Sequence, residues 1–447
     1  MNIAYLDPPY SRYFHELGGR LARRTGGAVL ALLSSPAYEM YTGDDRHEVW
    51  NPGTVAEPPP VPEASAHALW SQTIDERFRG VFWHAVQWFR EQFRAHGIGL
   101  CLVFSDARPF SLAAAVAASE AGVRCLYFER GAFRLRTASL STLGLNARFS
   151  LREAREFDGI RGIAHDAVLP TRREEPWLKL NFVRFMLANE RACVRRPERR
   201  LMQHKRYALL PYVRLTLAQW WARRRPSQHA DAHLGLGQAG GVVLVPLQLP
   251  GDSQWRLHSP FATVQEFLDF VVQQAHRVAP DACILVKRHP MDSAHYRMPE
   301  GALAITGNLA RFYRRHPVVV CVNSTVGFEA ATRGLPVICF GDSFYTESPA
   351  VQRTARAGFA DCLARALGDA ATRAPDRTLL ADVLRWYQAP GDTWGYTDED
   401  LERTADIALQ HWRAASAMSR TRRPDPPCAE PAPTPFTKSA PKIRPAR

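Results

Sequence analysis

The chain has 447 residues, is 46% hydrophobic and 23% charged, and carries a formal net charge of +13. That length supports two or three domains, each large enough to bury a core. No apolar run approaches the roughly 18 residues that cross a bilayer as a helix, and the opening MNIAYLDPPYSRYF lacks the basic-then-apolar pattern of a secretory signal.

In chain order, residues 2–6 read as a first strand, then a loop at 7–10, an amphipathic helix at 13–24 and a strand at 28–34. Residues 43–67, rich in Pro and Glu, read as a surface excursion. Residues 72–97 carry Phe78, Phe82, Trp83, Trp88, Phe89 and Phe93, so a long amphipathic helix is expected, with its aromatics in the core. A strand to Asp106, an Ala-rich helix at 111–121 and a strand to Glu129 make a β-α-β unit. Residues 175–226 read as helical, basic and aromatic, and 227–240 as a small polar linker. A second β-α-β series runs from Val242 to Phe340, with strands VVLVPLQ, CILVKR, VVVCVN and PVICFG and helices at 263–278 and 325–332. A last helix starts near Asp398, and the basic, Pro-rich tail from Arg420 reads as disordered.

The charge is segregated. Residues 184–225 hold twelve Arg/Lys against Glu190 and Glu198, and residues 420–447 hold seven against Asp425 and Glu430. These two segments exceed the whole cationic excess, which points to anionic partners. In the first of them basic residues alternate with Phe185, Met186, Tyr207, Tyr212, Trp220 and Trp221. Docking on an anionic membrane leaflet is the expectation, and a helical hairpin packed within the protein is the alternative. No nucleic-acid motif accompanies the charge. The eight cysteines (Cys101, Cys125, Cys193, Cys283, Cys321, Cys339, Cys362, Cys428) form no C-x-x-C pair and read as small buried side chains of a reducing compartment.

Five apolar runs each stop at polar residues: Ser105-Asp106, Glu129-Arg130-Gly131, Gln248 with Asp252, Lys287-Arg288-His289-Pro290, and Asn323-Ser324-Thr325. Buried parallel strands look like this, and in open α/β sheets the ligand crevice lies at their carboxyl ends. The strand–Asn323-Ser324-Thr325-x-Gly327–helix element aims free backbone amides into the crevice and suits a phosphate. Lys287, Arg288 and His289 supply cations and an imidazole at matching height, and Asp252 and Glu129 make a pair of carboxylates suited to glycosyl transfer. Two patterns are set aside. Gly235-x-Gly237-x-x-Gly240 precedes a strand, whereas a dinucleotide fingerprint follows one. Asp398-Glu399-Asp400 sits at a helix start, where Thr397 or Asp398 caps and acids are favoured without a metal.

At these residues the chain resembles the capsule polysaccharide biosynthesis proteins of the KpsS/LipB type, Kdo transferases of Gram-negative bacteria. The matching strings are Gln248-Leu-Pro-Gly-Asp252-Ser-Gln254 with His258-Ser259, Val286-Lys-Arg-His289-Pro290, and Val322-Asn323-Ser324-Thr325-Val-Gly327. Glu129-Arg-Gly131-Ala-Phe-Arg134 and Ser105-Asp106-Ala-Arg108-Pro109 are similar to looser family strings, as is Tyr13-Phe14-His-Glu-Leu17. Two positions depart: Leu135 stands where the family has Pro, and Asp7-Pro8-Pro9 replaces a Gly-rich first loop.

The resemblance implies two Rossmann-like α/β domains facing across a cleft in the GT-B arrangement, with a helical basic insertion. It implies CMP-Kdo as donor, retention of the β configuration, no cofactor or metal, and an anionic glycerophospholipid acceptor. It also implies a cytoplasmic protein, peripheral on the inner face of the inner membrane, with other capsule biosynthesis and export proteins as partners and no nucleic acid. The expected division is 1–174 for the acceptor-side domain, 175–240 for the basic segment and linker, and 241–385 for the CMP-sugar domain. Residues 386–419 follow as a terminal helical segment and 420–447 as the tail. Asp252 is the expected nucleophile and Glu129 the acid/base. His289, Ser324 and Thr325 would hold the CMP phosphate, with Asn323, Lys287, Arg288 and Gln248 as further contacts, and Arg134, Asp106 and Arg108 would face the acceptor. Another CMP-sugar transferase, of sialyl type, and a non-catalytic capsule assembly factor with the same fold remain alternatives.

Overall fold

The computed structural model describes residues 1–69, 73–164, 166–174, 176–203, 213–214, 216–217, 241–292, 294–368 and 377–421. Among them thirteen strands build two sheets: β1 (Asn2–Leu6), β2 (Val29–Leu33), β3 (Arg46–Val49), β4 (Ile98–Phe104), β5 (Arg124–Arg130), β6 (Thr137–Ser141), β7 (Val242–Pro246), β8 (Cys283–Lys287), β9 (Ala302–Ile305), β10 (Val318–Cys321), β11 (Val337–Cys339), β12 (Val351–Arg353) and β13 (Gln388–Pro390). The first sheet has the order β13-β6-β5-β4-β1-β2-β3 and the second β12-β11-β10-β7-β8-β9. The second is parallel throughout, and the first is parallel from β5 to β3, with β6 and β13 antiparallel at one edge.

All five expected apolar runs are strands: β4, β5, β7, β8 and β10. Parallel strands are covered by helices on both faces, so their side chains are apolar on both sides and read as unbroken runs. The helices follow local signals. Tyr13–Thr25 stops at Gly26 and Pro109–Ala121 at Gly122, each in the left-handed conformation that glycine adopts without strain. Glu76–Ala95 starts at Asp75, whose side chain accepts from the Phe78 amide at 2.7 Å. Its Phe78, Phe82, Phe89 and Phe93 are buried, in the core as expected. Asp398–Thr421 starts at a reciprocal cap, the Thr397 amide donating to Asp400 and the Asp400 amide to Thr397 Oγ1, so the acidic triplet is helix-start chemistry. The seven described cysteines are free, five of them buried.

Residues 43–67 are more than a surface excursion. They contain edge strand β3 and Trp50, which is fully buried and donates from Nε1 to His84 Nδ1 at 3.1 Å. After the second domain the chain returns to the first. β13 pairs with β6, and helix Asp398–Thr421 packs on helix Tyr13–Thr25 through Arg20–Glu402 at 3.0 Å and Arg24–Glu402 at 2.5 Å.

The basic insertion begins with helix Leu178–Arg195 and the turn Pro197–Met202. Phe185 and Met186 lie in the core of the first domain, with Phe185 against Tyr38 at 4.6 Å between ring centroids. Arg199 is buried and donates to the Ser34 carbonyl, and Arg200 pairs with Glu190. Residues 178–203 thus pack one face against the first domain, and Phe185 and Met186 are not free to meet a membrane. The later aromatic residues of this segment, the 227–240 linker with its three glycines, and the tail beyond residue 421 lie outside the described residues.

The return of the chain is pinned by Asp392, which is fully buried. Its Oδ1 accepts from Arg130 Nε at 3.0 Å and the Trp394 amide at 3.1 Å, and its Oδ2 from Arg130 Nη2 at 3.1 Å and the Leu135 amide at 3.0 Å. Arg130 also lies over the Trp394 ring, 4.0 Å from its centroid. Removing the guanidinium strands the carboxylate without a counter-charge. Arg130→Ala is therefore expected to lower unfolding free energy by about 3–5 kcal/mol in denaturant titrations, whereas Arg46→Ala, on the exposed edge strand, changes it by less than about 0.5 kcal/mol.

Candidate functional site

In each sheet the strand order reverses at one point, between β1 and β4 in the first and between β7 and β10 in the second. A crevice opens at such a point beyond the carboxyl ends of the strands. In the second domain it is floored by Gln248 and Asn323. Gln248 Nε2 donates to Asn323 Oδ1 at 2.8 Å, and the Asn323 amide returns a bond to Gln248 Oε1 at 3.2 Å. Asn323 Nδ2 donates to the carbonyls of Asp342 and Gln254. Both side chains are buried and spent on this network. They hold the strand ends together.

Ser324 caps helix Thr325–Ala331, its Oγ accepting from the Val326 amide at 3.3 Å, and Tyr345 donates to the Ser324 carbonyl at 2.5 Å. Ser324 is half-buried and Thr325 is exposed at the cleft end of the helix. On β8 successive side chains alternate. Lys287 is half-buried, and burial lowers its pKa. Arg288 turns into its own loop, Nη2 donating to the carbonyls of Asp292 and Ala294 and the guanidinium lying over Tyr296, so it braces the 291–296 loop. His289 Nδ1 accepts from the Met291 amide at 3.1 Å, and burial lowers its pKa. The neutral ring therefore keeps its proton on Nε2, where it can be donated to a ligand. Asp252 caps helix Ser253–His258 with Oδ1, which accepts from the Gln254 amide at 2.9 Å.

From the first domain Glu129 ends β5. Its neighbour Gly131 is held between strands: a Cβ there would lie 2.1 Å from Thr137 Oγ1 and 2.6 Å from Gln388 Oε1. Glu129 Oε2 accepts from Asn146 Nδ2 at 2.6 Å. Burial pushes its carboxyl up to about 7, opposed by Arg134 and assisted by the negative charges of Asp106 and Asp252. His289 in turn feels Asp252 and Arg134. Glu129 and Arg134 from one domain and Asp252 and His289 from the other thus share one electrostatic environment. Packing carries the same message. Phe133, beside Arg134, meets Phe328 of helix Thr325–Ala331 at 5.5 Å between centroids.

The other acceptor-side residues separate. Asp106 is buried and accepts from the Leu145 amide at 2.9 Å, so it anchors a loop. Arg108 lies over Phe104 and faces Asp7 and Tyr38 at the first switch point. Asp7, whose two oxygens accept from the Ser34 amide and hydroxyl, is pushed up to about 6 by burial. Leu135 has φ +60° and uses its amide on Asp392. Proline could supply neither the angle nor the donor, so the family's Pro is incompatible with this loop. Asn146 and Tyr387 carry no motif in the sequence. Asn146 takes φ +52°, its amide donates to Tyr387 Oη at 2.7 Å, and its side chain aims Glu129. Among the described residues His15, Asp44 and Asp45 could together hold a metal ion, but His15 and Asp45 already bond to each other at 2.8 Å and Asp44 is exposed.

Two doubly wound domains facing across a cleft give this protein the GT-B architecture of glycosyltransferases. A family model described as capsule polysaccharide biosynthesis protein matches residues 100–353, and the chain belongs to that family. It is 25% identical over 291 residues to the capsule polysaccharide modification protein LipB of Neisseria meningitidis, covering 58% of this chain and 67% of LipB. It is likewise 25% identical over 280 residues to the capsule polysaccharide export protein KpsS of Escherichia coli, covering 58% of this chain and 71% of KpsS. Among solved structures it is similar to KpsC of Thermosulfurimonas dismutans, titled a beta Kdo 2,7 transferase, at 16% identity and a TM-score of 0.35 over 72% of this chain and 89% of that one. Among the described residues no helix is long and apolar enough to cross a membrane.

Asn146 supports the charged form of Glu129, so its removal should raise the Glu129 pKa further. Asn146→Gly, which keeps the left-handed angle accessible, is expected to move the Glu129-dependent limb of the pH–rate profile upward with little change in melting temperature. Stability gives an independent reading. Folding raises the Glu129 pKa from 4.5 to about 7, so the folded state holds the proton longer and stability falls as pH rises through that window. Glu129→Gln should gain in melting temperature relative to wild type between pH 4.5 and 7, and the gap should be constant above it.

Proposed function

We propose that the protein is a retaining transferase that moves β-Kdo from CMP-Kdo to a glycerophospholipid during capsule polysaccharide biosynthesis. The observation that carries this reading is that Glu129 and Asp252, from opposite domains, lie close enough for the charge of one to act on the other, with Arg134 acting on Glu129, and both Asp252 and Arg134 acting on His289. Family membership supports the capsule setting, and the matches to LipB and KpsS support it further.

In this mechanism Asp252 attacks the anomeric carbon. A carbon–oxygen bond to the carboxylate forms as the bond to the CMP phosphate breaks, and CMP leaves with the electron pair. His289 Nε2–H, Ser324, Thr325 and Lys287 surround the departing phosphate and stabilise its charge. An acceptor hydroxyl then displaces Asp252 and gives its proton to Glu129. A carboxyl near 7 is half-ionised at neutral pH, which suits that exchange. Two displacements retain the configuration. Arg134, exposed beside Glu129, is left for the acceptor phosphate.

Calorimetry should find CMP bound far better than UDP or GDP. His289→Ala should cost about 1.5–3 kcal/mol of CMP affinity, roughly ten- to 150-fold. With CMP-Kdo and a phosphatidylglycerol analogue, product mass should rise by one Kdo, in the presence of EDTA as well. Asp252→Asn should abolish this while CMP binding stays, since Asn also caps a helix and the change is close to isosteric. Glu129→Gln should slow turnover and allow a sugar adduct on Asp252 to be seen by intact-protein mass spectrometry. Normal turnover by Asp252→Asn would overturn the double displacement. Turnover with CMP-sialic acid but not CMP-Kdo would move the assignment to a sialyl-type enzyme, and CMP binding without turnover of either would make the protein an assembly factor.

A further inference from the structure

Helix Leu178–Arg195 buries one face in the first domain, and among the described residues its other face is bare. Leu180 (43% exposed), Val183 (45%), Leu187 (46%) and Val194 (70%) recur at intervals of three, four and seven. At 100° per residue they fall on one stripe roughly 60° wide. Trp177, 67% exposed, extends it at the helix start. Arg184, Arg191 and Arg195 run along one flank of the stripe and Lys179 stands on the other, all exposed. The one acid on this helix, Glu190, is half-buried and paired with Arg200. Among the described residues the face therefore combines a continuous apolar row with charge of one sign.

Charge selects what covers it. A second copy of the chain would bring the same cations against these, and an ordinary protein partner does not call for an all-cationic rim around aliphatic side chains. An interfacial helix does: its apolar side chains enter the headgroup boundary while Lys and Arg meet anionic lipid. Tryptophan at the edge favours that depth.

We propose that the outer face of helix Leu178–Arg195 docks the protein flat on an anionic phospholipid bilayer. The residues differ from those the alternation in the sequence suggests, because Phe185 and Met186 point the other way, into the core. The proposal goes beyond the transferase reading and needs no donor, so its test runs without CMP-Kdo and can fail while transfer to a dispersed acceptor succeeds.

The test is co-sedimentation of the full chain with vesicles of phosphatidylcholine alone and of equal parts phosphatidylcholine and phosphatidylglycerol. Wild type is expected to sediment with the mixed vesicles, not with phosphatidylcholine alone, and to lose binding in high salt. The triple variant Leu180→Ser, Leu187→Ser, Val194→Ser and the triple variant Arg184→Ser, Arg191→Ser, Arg195→Ser should each bind at least about tenfold more weakly. All six positions are exposed, so melting temperatures should be unchanged. Absence of wild-type binding to phosphatidylglycerol, equal binding to pure phosphatidylcholine, or undiminished binding by either variant overturns the proposal. So does a wild-type dimer that the apolar variant converts to monomer, which would assign the face to a second copy.

Discussion

A carboxylate with no exposed surface must be fully satisfied, because an unpaired buried charge costs several kcal/mol. Asp392 meets that demand by drawing together three pieces of chain: the end of β5 through Arg130, the following loop through the Leu135 amide, and the return segment through Trp394. The consequence for the site is directional. Neighbouring residues on a strand point to opposite faces. With Arg130 committed to Asp392, Glu129 has to face away from it, toward the cleft. Gly131 is then forced by the closeness of Thr137 and Gln388. The Glu-Arg-Gly string is one mechanical unit, in which only the first residue is free for chemistry.

The two carboxylates of the cleft have similar chemistry and different surroundings. The Glu129 pKa is held up by burial, with Arg134 and the Asn146 side-chain amide supporting its charge. Asp252 stands at a helix start, where the Gln254 amide donates to it. That asymmetry sets the surroundings of the two groups apart: burial holds the Glu129 carboxyl up to about 7, while the Asp252 side chain is engaged as a helix cap. A chain of contacts joins the sides: Asn146 bonds Tyr387, Tyr387 lies against Phe344, Phe344 against Tyr345, and Tyr345 bonds the Ser324 carbonyl. The carboxylate of one domain and helix Thr325–Ala331 of the other are thereby held in register.

Much of the parallel framework could be read from residues alone, because strands covered on both faces are apolar throughout. The edge strands could not. β3 is Arg-His-Glu-Val, and β12 and β13 are three residues each, too short and too polar to show a period. Strand-end residues were legible as a group but not one by one. Polar type put Gln248, Asn323 and Arg288 among the strand-end residues, but not their partners within the protein, which are Asp342, Gln254, Asp292, Ala294 and, for Gln248 and Asn323, each other. Residue type does not say which way a side chain turns. Asn146 and Tyr387 were invisible for another reason: they act through a bond between positions 241 residues apart. Arg199 shows the limit of charge counting, since a segment dense in cations still buries one of them on a carbonyl.

The strand order has a bearing on how the chain is made. β13 and the last helix complete the first sheet, but they emerge after the whole second domain. During synthesis β6 remains an open antiparallel edge, and Arg130 lacks its buried partner Asp392, until residues 388–392 have been translated. Domains fold as units as they emerge, so here the domain begun second can finish first, and the ribosome delivers the clasp of the earlier domain after it. The interval in which that edge is bare is set by the length of the inserted domain, and shortening or lengthening loops there would change how long an unpaired strand is offered to other chains.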